Sequence, residues 1–267
     1  MTTPAEIAFR NTGLEIKFYR KAFQGMSEIE DGSIDIVFTS PPYKEKDGYS
    51  DDMMMSLGQD LARVLAQDGI AFVNFGSLAH HKDRPLTVGL ILGDFLEHHD
   101  TIIWAKNFDG KGQFTPSRYD SRINNIFEFI FVFVQKGYVP TLDKLSIGVP
   151  YEDKSNIGRY SDKDIRCRGN IWPVRYETIQ KKSQKLHSER FPPELVEMGI
   201  KLANKPSGSN FLDPFNGSGS SMIACIEHDM NFFGYEINEK WYDVAITRFE
   251  EWWERKVDLR IEEEGGE

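Results

Sequence analysis

The sequence of 267 residues predicts an α/β protein built on a mostly parallel sheet with helices on both faces. Short apolar runs, of which 34–38, 70–75 and 126–134 are the clearest, are typical of strands buried on both faces. Between them lie longer segments whose apolar residues recur at helical spacing, such as 53–66. Strands that alternate with such helices form parallel sheets, and a hydrophobic content of 40% is ample for a core.

The individual strands and helices can be assigned along the chain from the short apolar runs and from the apolar residues at helical spacing. Strands are predicted at 14–19, 34–38, 70–75, 100–105, 126–134 and 231–236, with a further strand ending near 211. Helices are predicted at 22–29, 53–66, 86–97, 191–204 and 240–255, with another beginning at 221. The segment 137–186 loses this rhythm, and the acidic tail 261–267 is predicted to be disordered.

A cluster of polar and cyclic residues follows the third predicted element, the strand 34–38. Thr39-Ser40-Pro41-Pro42-Tyr43 ends that strand, because proline cannot donate to a sheet ladder. Ligands of open α/β sheets bind at the carboxyl ends of strands. There the Ser40 hydroxyl and the carbonyls of Ser40 and Pro41 could accept from an amino group, and Tyr43 could stack on a flat ring. Taken alone, the same residues are equally consistent with a proline-rich turn.

A glycine-rich turn lies near the other end of the chain. The stretch 213–220, Asp-Pro-Phe-Asn-Gly-Ser-Gly-Ser, follows a strand end and precedes a helix, and the next strand ends in Glu236. An acid about 20 residues beyond such a loop is placed to accept from ribose hydroxyls. No lysine follows Gly219, so a triphosphate cradle is not indicated.

Together the two stretches resemble the amino-group DNA methyltransferases that use S-adenosylmethionine. Thr39-Ser40-Pro41-Pro42-Tyr43 is similar to the family's catalytic motif, and Asp213-Pro214-Phe215-Asn216-Gly217-Ser218-Gly219 to its cofactor motif. The catalytic motif comes first, as in the permuted beta group, and 187–195 resembles the family's entry to the cofactor site. The resemblance covers about residues 12–250. It implies a Rossmann-like methyltransferase fold with a reversed edge strand and a small target-recognition insertion.

The resemblance also implies roles for individual residues. The catalytic residues would be Ser40, Pro41, Pro42 and Tyr43. The cofactor, S-adenosyl-L-methionine, would be bound by Thr39, Ser188, Phe191, Asp213, Pro214, Phe215, Gly217, Ser218, Gly219 and Glu236. Asp213 would lie near the methionine moiety and Glu236 at the ribose. No metal site is predicted, because His80 and His81 have no further ligands nearby in the sequence.

The charge distribution indicates a nucleic-acid partner despite a net charge of −10. Residues 154–190 hold ten Lys and Arg against four acids, so that a segment of net +6 lies on an acidic remainder. A solvated charged surface is the alternative. The DNA-binding candidates are Lys154, Arg159, Arg166, Arg168, Arg175, Lys181 and Lys182.

The predicted organisation is one catalytic domain with an insertion. Residues 1–136 form its catalytic part, 137–186 the target-recognition insertion, 187–256 the cofactor-binding part and 257–267 an acidic tail. The sequence has neither a stretch of ~20 apolar residues nor a secretory leader, which favours a cytoplasmic protein. Double-stranded DNA is the predicted partner, and the sequence leaves open a homodimer and a cognate restriction endonuclease.

The predicted reaction is direct methyl transfer to an exocyclic amine of a flipped base. Carbon-5 methylation is excluded, because it needs a thiolate and neither Cys167 nor Cys225 lies in the motif. Within the family, serine at the position of Ser40 is associated with cytosine N4, whereas Asp or Asn is associated with adenine N6. Cytosine N4 is therefore the predicted target and adenine N6 the alternative. A non-catalytic nucleic-acid binder on the same scaffold is a third, less favoured hypothesis.

Overall fold

Eight strands form one sheet in the computed structural model, which describes residues 12–44, 49–78, 81–107, 123–159, 162–175 and 191–264, with side chains as far as 256. The strands are β1 Ile16–Tyr19, β2 Ile34–Thr39, β3 Leu65–Phe75, β4 Glu97–Ala105, β5 Phe127–Val134, β6 Ile171–Pro173, β7 Asn210–Asp213 and β8 Asn231–Tyr235. The helices are α1 Asp51–Val64, α2 Arg84–Gly93, α3 Pro193–Ala203, α4 Ser220–Glu227 and α5 Glu239–Glu264. The predicted α/β fold class is confirmed.

The strand order is β1-β8-β7-β2-β3-β5-β4-β6, and only β5 runs against its neighbours within the described sheet. The sequence therefore predicted a reversed strand correctly. The prediction that this strand lies at the edge of the sheet was wrong, because β4 and β6 continue the sheet beyond β5. The edge strand β6 comes from the segment between β5 and α3, whose weak hydrophobic pattern hid this strand.

The reversal of β5 brings its first residues to the edge where the parallel strands end. Glu128 pairs with Trp104 near the end of β4, and Phe129 pairs with Phe75 at the end of β3. The carboxyl ends of β2, β3, β4, β7 and β8 and the amino end of β5 consequently share one edge of the sheet. This edge is the place where an open α/β sheet binds its ligands.

Helices cover both faces of the sheet, and each face has its own apolar core. Phe38 and Phe72 point toward α3, α4 and α5, whereas Val37 and Leu212 belong to the core formed with α1 and α2. Helix α3 lies close to β2 at Gly199, where an added Cβ would come within 2.8 Å of the Phe38 ring. The two cores fix the strand ends from both sides.

Other elements also differ from the sequence prediction. Residues 22–29 form turns rather than a helix, because Gly25 and Met26 have φ angles of +82° and +32° and Arg63 binds the carbonyls of both. Helix α1 ends at Val64 and β3 begins at the next residue, ahead of the predicted end. Helix α5 continues to Glu264, into the tail that was predicted to be disordered.

In the part of the chain that the structure describes, no helix combines the length and the apolarity that a membrane crossing requires.

Candidate active site

A buried hydrogen bond joins the two sequence motifs. Thr39 at the end of β2 donates its hydroxyl to Asp213 Oδ1 at the end of β7, at 2.7 Å, and both residues are 0% exposed. The partners are 174 positions apart in the sequence, but β2 and β7 are neighbouring parallel strands. The catalytic and cofactor motifs therefore form one continuous surface at the carboxyl edge of the sheet.

The Asp213 carboxylate organises the turn that follows it. Oδ1 also accepts from the backbone N–H of Phe215 at 3.0 Å, and Oδ2 accepts from the Ser221 hydroxyl. Complete burial raises the pKa of Asp213 from its ordinary value of 3.8 to about 6, although these hydrogen bonds favour the charged form. Because protein groups surround both oxygens, this carboxylate shapes the loop from beneath.

The glycine-rich loop needs its glycines for conformation and for space. Gly217 and Gly219 have φ angles of +54° and +84°, where other L-residues are strained. A Cβ on Gly219 would also lie 3.1 Å from that of Ala245 in α5. Arg248, one turn further along α5, donates to the Ser218 carbonyl at 2.5 Å. The loop is thus held against α5 in one conformation.

The Glu236 side chain accepts hydrogen bonds from the glycine-rich loop and from the turn after β8. Its Oε2 accepts from the N–H of Gly217 at 3.0 Å, and its Oε1 accepts from the N–H of Asn238 at 2.7 Å. The side chain is half-buried, and burial raises the pKa of Glu236 against the opposing effect of these backbone donors. The spacing of loop and acid in the sequence therefore corresponds to a direct contact in the structure.

Two buried side-chain atoms of the stretch 213–220 lack a hydrogen-bond partner in the part of the chain that the structure describes. Asn216 Nδ2 and Ser220 Oγ are buried and make no hydrogen bond within the described residues. Asn216 Oδ1 lies 3.0 Å from Ser221 Oγ, whereas the amide N–H groups of Asn216 have no acceptor among the described residues. Buried polar groups of this kind are costly unless a ligand or water satisfies them.

The catalytic motif lies beside this loop at the end of β2. Ser40 and Tyr43 are half-buried, and their hydroxyl oxygens are 2.8 Å apart. The Tyr43 ring packs on Phe75, with the ring centroids 4.5 Å apart. Pro41 is buried and Pro42 is half-buried, so the turn is fixed against the end of the sheet.

Sequence reasoning missed four residues that surround Ser40 and Tyr43. Asn74 Oδ1 and Glu128 Oε2 each lie 3.1 Å from the Tyr43 hydroxyl oxygen, so that either can accept its single proton. Lys106 forms an ion pair with the other oxygen of Glu128, and Gly76 leaves the space in which these side chains meet. The sequence did hold a signal, since one polar residue interrupts each of the runs 70–75 and 126–134.

Three further residues predicted to bind the cofactor are described by their burial and their ring contacts. Pro214 is buried in the loop, and Phe215 contacts Phe23 edge-on with a centroid distance of 4.9 Å. Phe191 is 8% exposed and lies 5.3 Å from the Phe38 ring, so it packs into the core near the start of α3. Ser188 lies outside the described residues.

The predicted DNA-binding residues differ in their partners and in their exposure to solvent. Lys154 pairs with Asp164 at 2.6 Å, and Arg168 donates to the Ile147 carbonyl at 2.9 Å. Exposed side chains are found at Arg159, Arg166 and Arg175. Of these, Arg175 follows the end of β6, which runs parallel to β4 toward the active-site edge. Lys181 and Lys182 lie outside the described residues.

The buried Asp213 predicts a specific pH dependence of stability. Its folded pKa of about 6 exceeds the ordinary 3.8, so the folded chain retains a proton that the unfolded chain has lost. Stability should therefore fall as the pH rises from about 4 to about 6, by about 3 kcal/mol for this group. Urea unfolding gives the free energy of unfolding of the wild type and of Asp213→Asn. The difference between these two free energies should change between pH 4 and pH 6. A difference that stays constant from pH 4 to 7 would contradict the assignment.

Comparisons with known proteins identify the family to which this chain belongs. A family model described as DNA methylase, covering N6 and N4 methyltransferases, matches residues 34–247. The Type II methyltransferase M.Cfr9I of Citrobacter freundii is 24% identical over 278 aligned positions, which cover 87% of each chain.

Two solved structures share the fold. PvuII DNA methyltransferase (cytosine-N4-specific) has a TM-score of 0.65 at 18% identity, covering 88% of this chain and 86% of its own. A DNA modification methylase of Thermus thermophilus, complexed with S-adenosyl-L-methionine, has a TM-score of 0.61 at 20% identity, covering 88% of this chain and 93% of its own. The fold is therefore the Rossmann-like methyltransferase fold. With most of its length matched by the family model, this chain belongs to the DNA methylase family of N6 and N4 amino-methyltransferases.

Proposed function

We propose that this chain transfers a methyl group from S-adenosyl-L-methionine to the N4 amine of cytosine in duplex DNA. The observation that carries this proposal is the Thr39–Asp213 hydrogen bond, which holds Ser40 beside the glycine-rich loop. A site for a methyl donor and a site for an amine thereby lie next to each other at one sheet edge. The DNA methylase family supplies the reaction class.

The residues around the loop fit the cofactor. S-adenosyl-L-methionine is the cofactor of this family and supplies an electrophilic methyl group when it is bound. Glu236 would accept from the ribose hydroxyls with the lone pairs that Gly217 and Asn238 leave available. The buried donor of Asn216 and the hydroxyl of Ser220 are suited to a polar ligand group. Asp213 and Thr39 would act from beneath by fixing the loop.

Ser40 and Pro41 would make the target amine reactive. The lone pair of an aromatic amine is delocalised into its ring, so the nitrogen is a poor nucleophile until it becomes pyramidal. The Ser40 hydroxyl and the carbonyls of Ser40 and Pro41 can accept from the amine hydrogens and direct its lone pair toward the cofactor side. Because these acceptors end a buried strand, they are preorganised for this task.

Tyr43 would bind the ring of the flipped base. Duplex DNA hides the amine, so the base has to leave the stack before transfer. Tyr43 is half-buried, and its hydroxyl is fixed by Ser40, Asn74 and Glu128. A ring held in one orientation loses little entropy when a base stacks on it.

The preference for cytosine rests on Ser40. A neutral hydroxyl stands where the adenine-N6 members of the family carry Asp or Asn. The structurally similar PvuII enzyme is described as cytosine-N4-specific, which supports the same assignment. We further propose that 137–186 is the target-recognition insertion and that Arg175 contacts the DNA backbone near the site.

Replacing Glu236 tests the cofactor site. We expect Glu236→Ala to weaken S-adenosyl-L-methionine binding by about 1.5–3 kcal/mol in calorimetry, since it removes a charged acceptor. Glu239→Ala is the matched control, because Glu239 lies three residues further on and pairs with Arg20 at the surface. Equal affinities of the wild type and Glu236→Ala would refute the ribose assignment.

Salt titrations of DNA binding test the role of Arg175. The slope of log K against log salt should become about 0.9 smaller in Arg175→Gln if one phosphate contact is lost. Lys17→Gln is the control, since β1 lies at the end of the strand order opposite to β6. If both variants keep the wild-type slope, Arg175 does not face the backbone.

Mass spectrometry of nucleosides tests the substrate. Duplex DNA incubated with the purified chain and S-adenosyl-L-methionine should yield N4-methylcytosine after digestion to nucleosides. Ser40→Ala should yield far less product while binding the cofactor normally, because Ser40 would act on the base. Detection of N6-methyladenine without N4-methylcytosine would overturn the assignment of cytosine as the substrate and would leave the family and the fold unchanged.

A further inference from the structure

We infer that Glu128 receives the proton that the target amine loses during methyl transfer, through the hydroxyls of Ser40 and Tyr43. This inference rests on the proposed function and adds a residue to it. Glu128 would act on the reaction through Tyr43 without touching the base. It would thereby supply the carboxylate that is absent at position 40, where this chain has serine.

Two hydrogen bonds connect the base-facing hydroxyl to the carboxylate. Ser40 Oγ and Tyr43 Oη are 2.8 Å apart, and either can donate to the other. Tyr43 Oη donates to Glu128 Oε2 at 3.1 Å. Both distances allow a proton to pass from Ser40 to Tyr43 while the proton of Tyr43 passes to Glu128.

Asn74 orients this path but cannot end it. Its Oδ1 lies 3.3 Å from Ser40 Oγ and 3.1 Å from Tyr43 Oη, and its Nδ2 donates to the Phe129 carbonyl at 3.0 Å. The carbonyl of Phe129 needs a donor, which fixes the amide with its oxygen toward the two hydroxyls. An amide oxygen is too weak a base to hold a proton. Glu128 is therefore the group in this network, among the described residues, that can take it.

The carboxylate is held in a site shaped for it. The side chains of Glu128 and Lys106 are 12% and 17% exposed and form an ion pair. The Lys106 ammonium also lies 4.6 Å from the centroid of the Trp104 ring. A Cβ at Gly76 would come within 2.8 Å of both Glu128 Oε1 and the Tyr43 ring. Glycine at this position lets the acid and the tyrosine meet.

The reaction releases a proton that needs an acceptor. The amine nitrogen uses its lone pair to bond the methyl carbon, whose former bonding electrons remain on sulfur. The nitrogen then carries a positive charge and releases an N–H proton to Ser40 Oγ. Ser40 passes its own proton to Tyr43, and Tyr43 passes its proton to Glu128, which becomes a neutral carboxylic acid. Charge and protons balance without a further reactant.

Lys106 suits this task as the partner of Glu128. Its ammonium gives the largely buried carboxylate a counter-ion and holds it in place. An alkylated aromatic amine that carries a positive charge is a strong acid. The proton therefore moves downhill toward Glu128.

Single-turnover methyl transfer to duplex DNA, measured against pH, tests the relay. Glu128→Gln and Tyr43→Phe should each slow transfer about 100-fold, the scale of general base catalysis, with unchanged affinities for DNA and S-adenosyl-L-methionine. The acid-side fall of the wild-type rate, caused by protonation of Glu128, should be missing in Glu128→Gln. Glu128→Asp should recover part of the rate, and Glu251→Gln, at an exposed acid on α5, is the control.

A second readout does not depend on activity. In infrared difference spectra, the carboxylate band of Glu128 is identified as the band that Glu128→Gln lacks. Tyr43→Phe should shift this band, because it removes the hydrogen bond from Tyr43 to Glu128. An unshifted band, or a wild-type transfer rate in Glu128→Gln, would overturn the relay. Wild-type DNA methylation in the same assay shows that the proposed function stands in either case.

Discussion

The hydrogen bond from Thr39 to Asp213 is the interaction on which the site depends. It lies where two neighbouring parallel strands end, and it joins the turn that carries Ser40 to the loop that carries Gly217 and Gly219. Burial of Asp213 is unfavourable for its charge, which the raised pKa of this carboxyl reflects. Thr39, Ser221 and the Phe215 N–H offset that cost, so the loop conformation and the charge of Asp213 sustain each other.

The three acids of the site have different surroundings, from which we infer different tasks. Asp213 is sealed beneath the loop and can act only on conformation. Glu236 is half-buried and faces the loop from above, where a ligand can reach its remaining lone pairs. Glu128 pairs with Lys106 and is connected to Ser40 through Tyr43. In our proposals, cofactor binding therefore belongs to Glu236 and proton transfer to Glu128.

The sequence predicted that both motifs follow the ends of strands, and parallel strands present their carboxyl ends at one edge. Asn74 and Glu128 escaped prediction, since each is a single polar residue in an apolar run and its partners come from other strands. The turns at 22–29 depend on Arg63 of α1, a contact that no local pattern reveals. The place of β5 depends on β6, which lies in a segment of weak periodicity.

A crystal structure with S-adenosylhomocysteine is the most direct test that the two motifs form one site. We predict that its ribose hydroxyls contact Glu236 and that its sulfur faces Ser40, with room for one amine between them. At the moment of transfer the reacting atoms should come within about 3–3.5 Å of each other. A ligand bound away from the Gly217–Gly219 loop, or a sulfur that faces away from Ser40, would contradict the account.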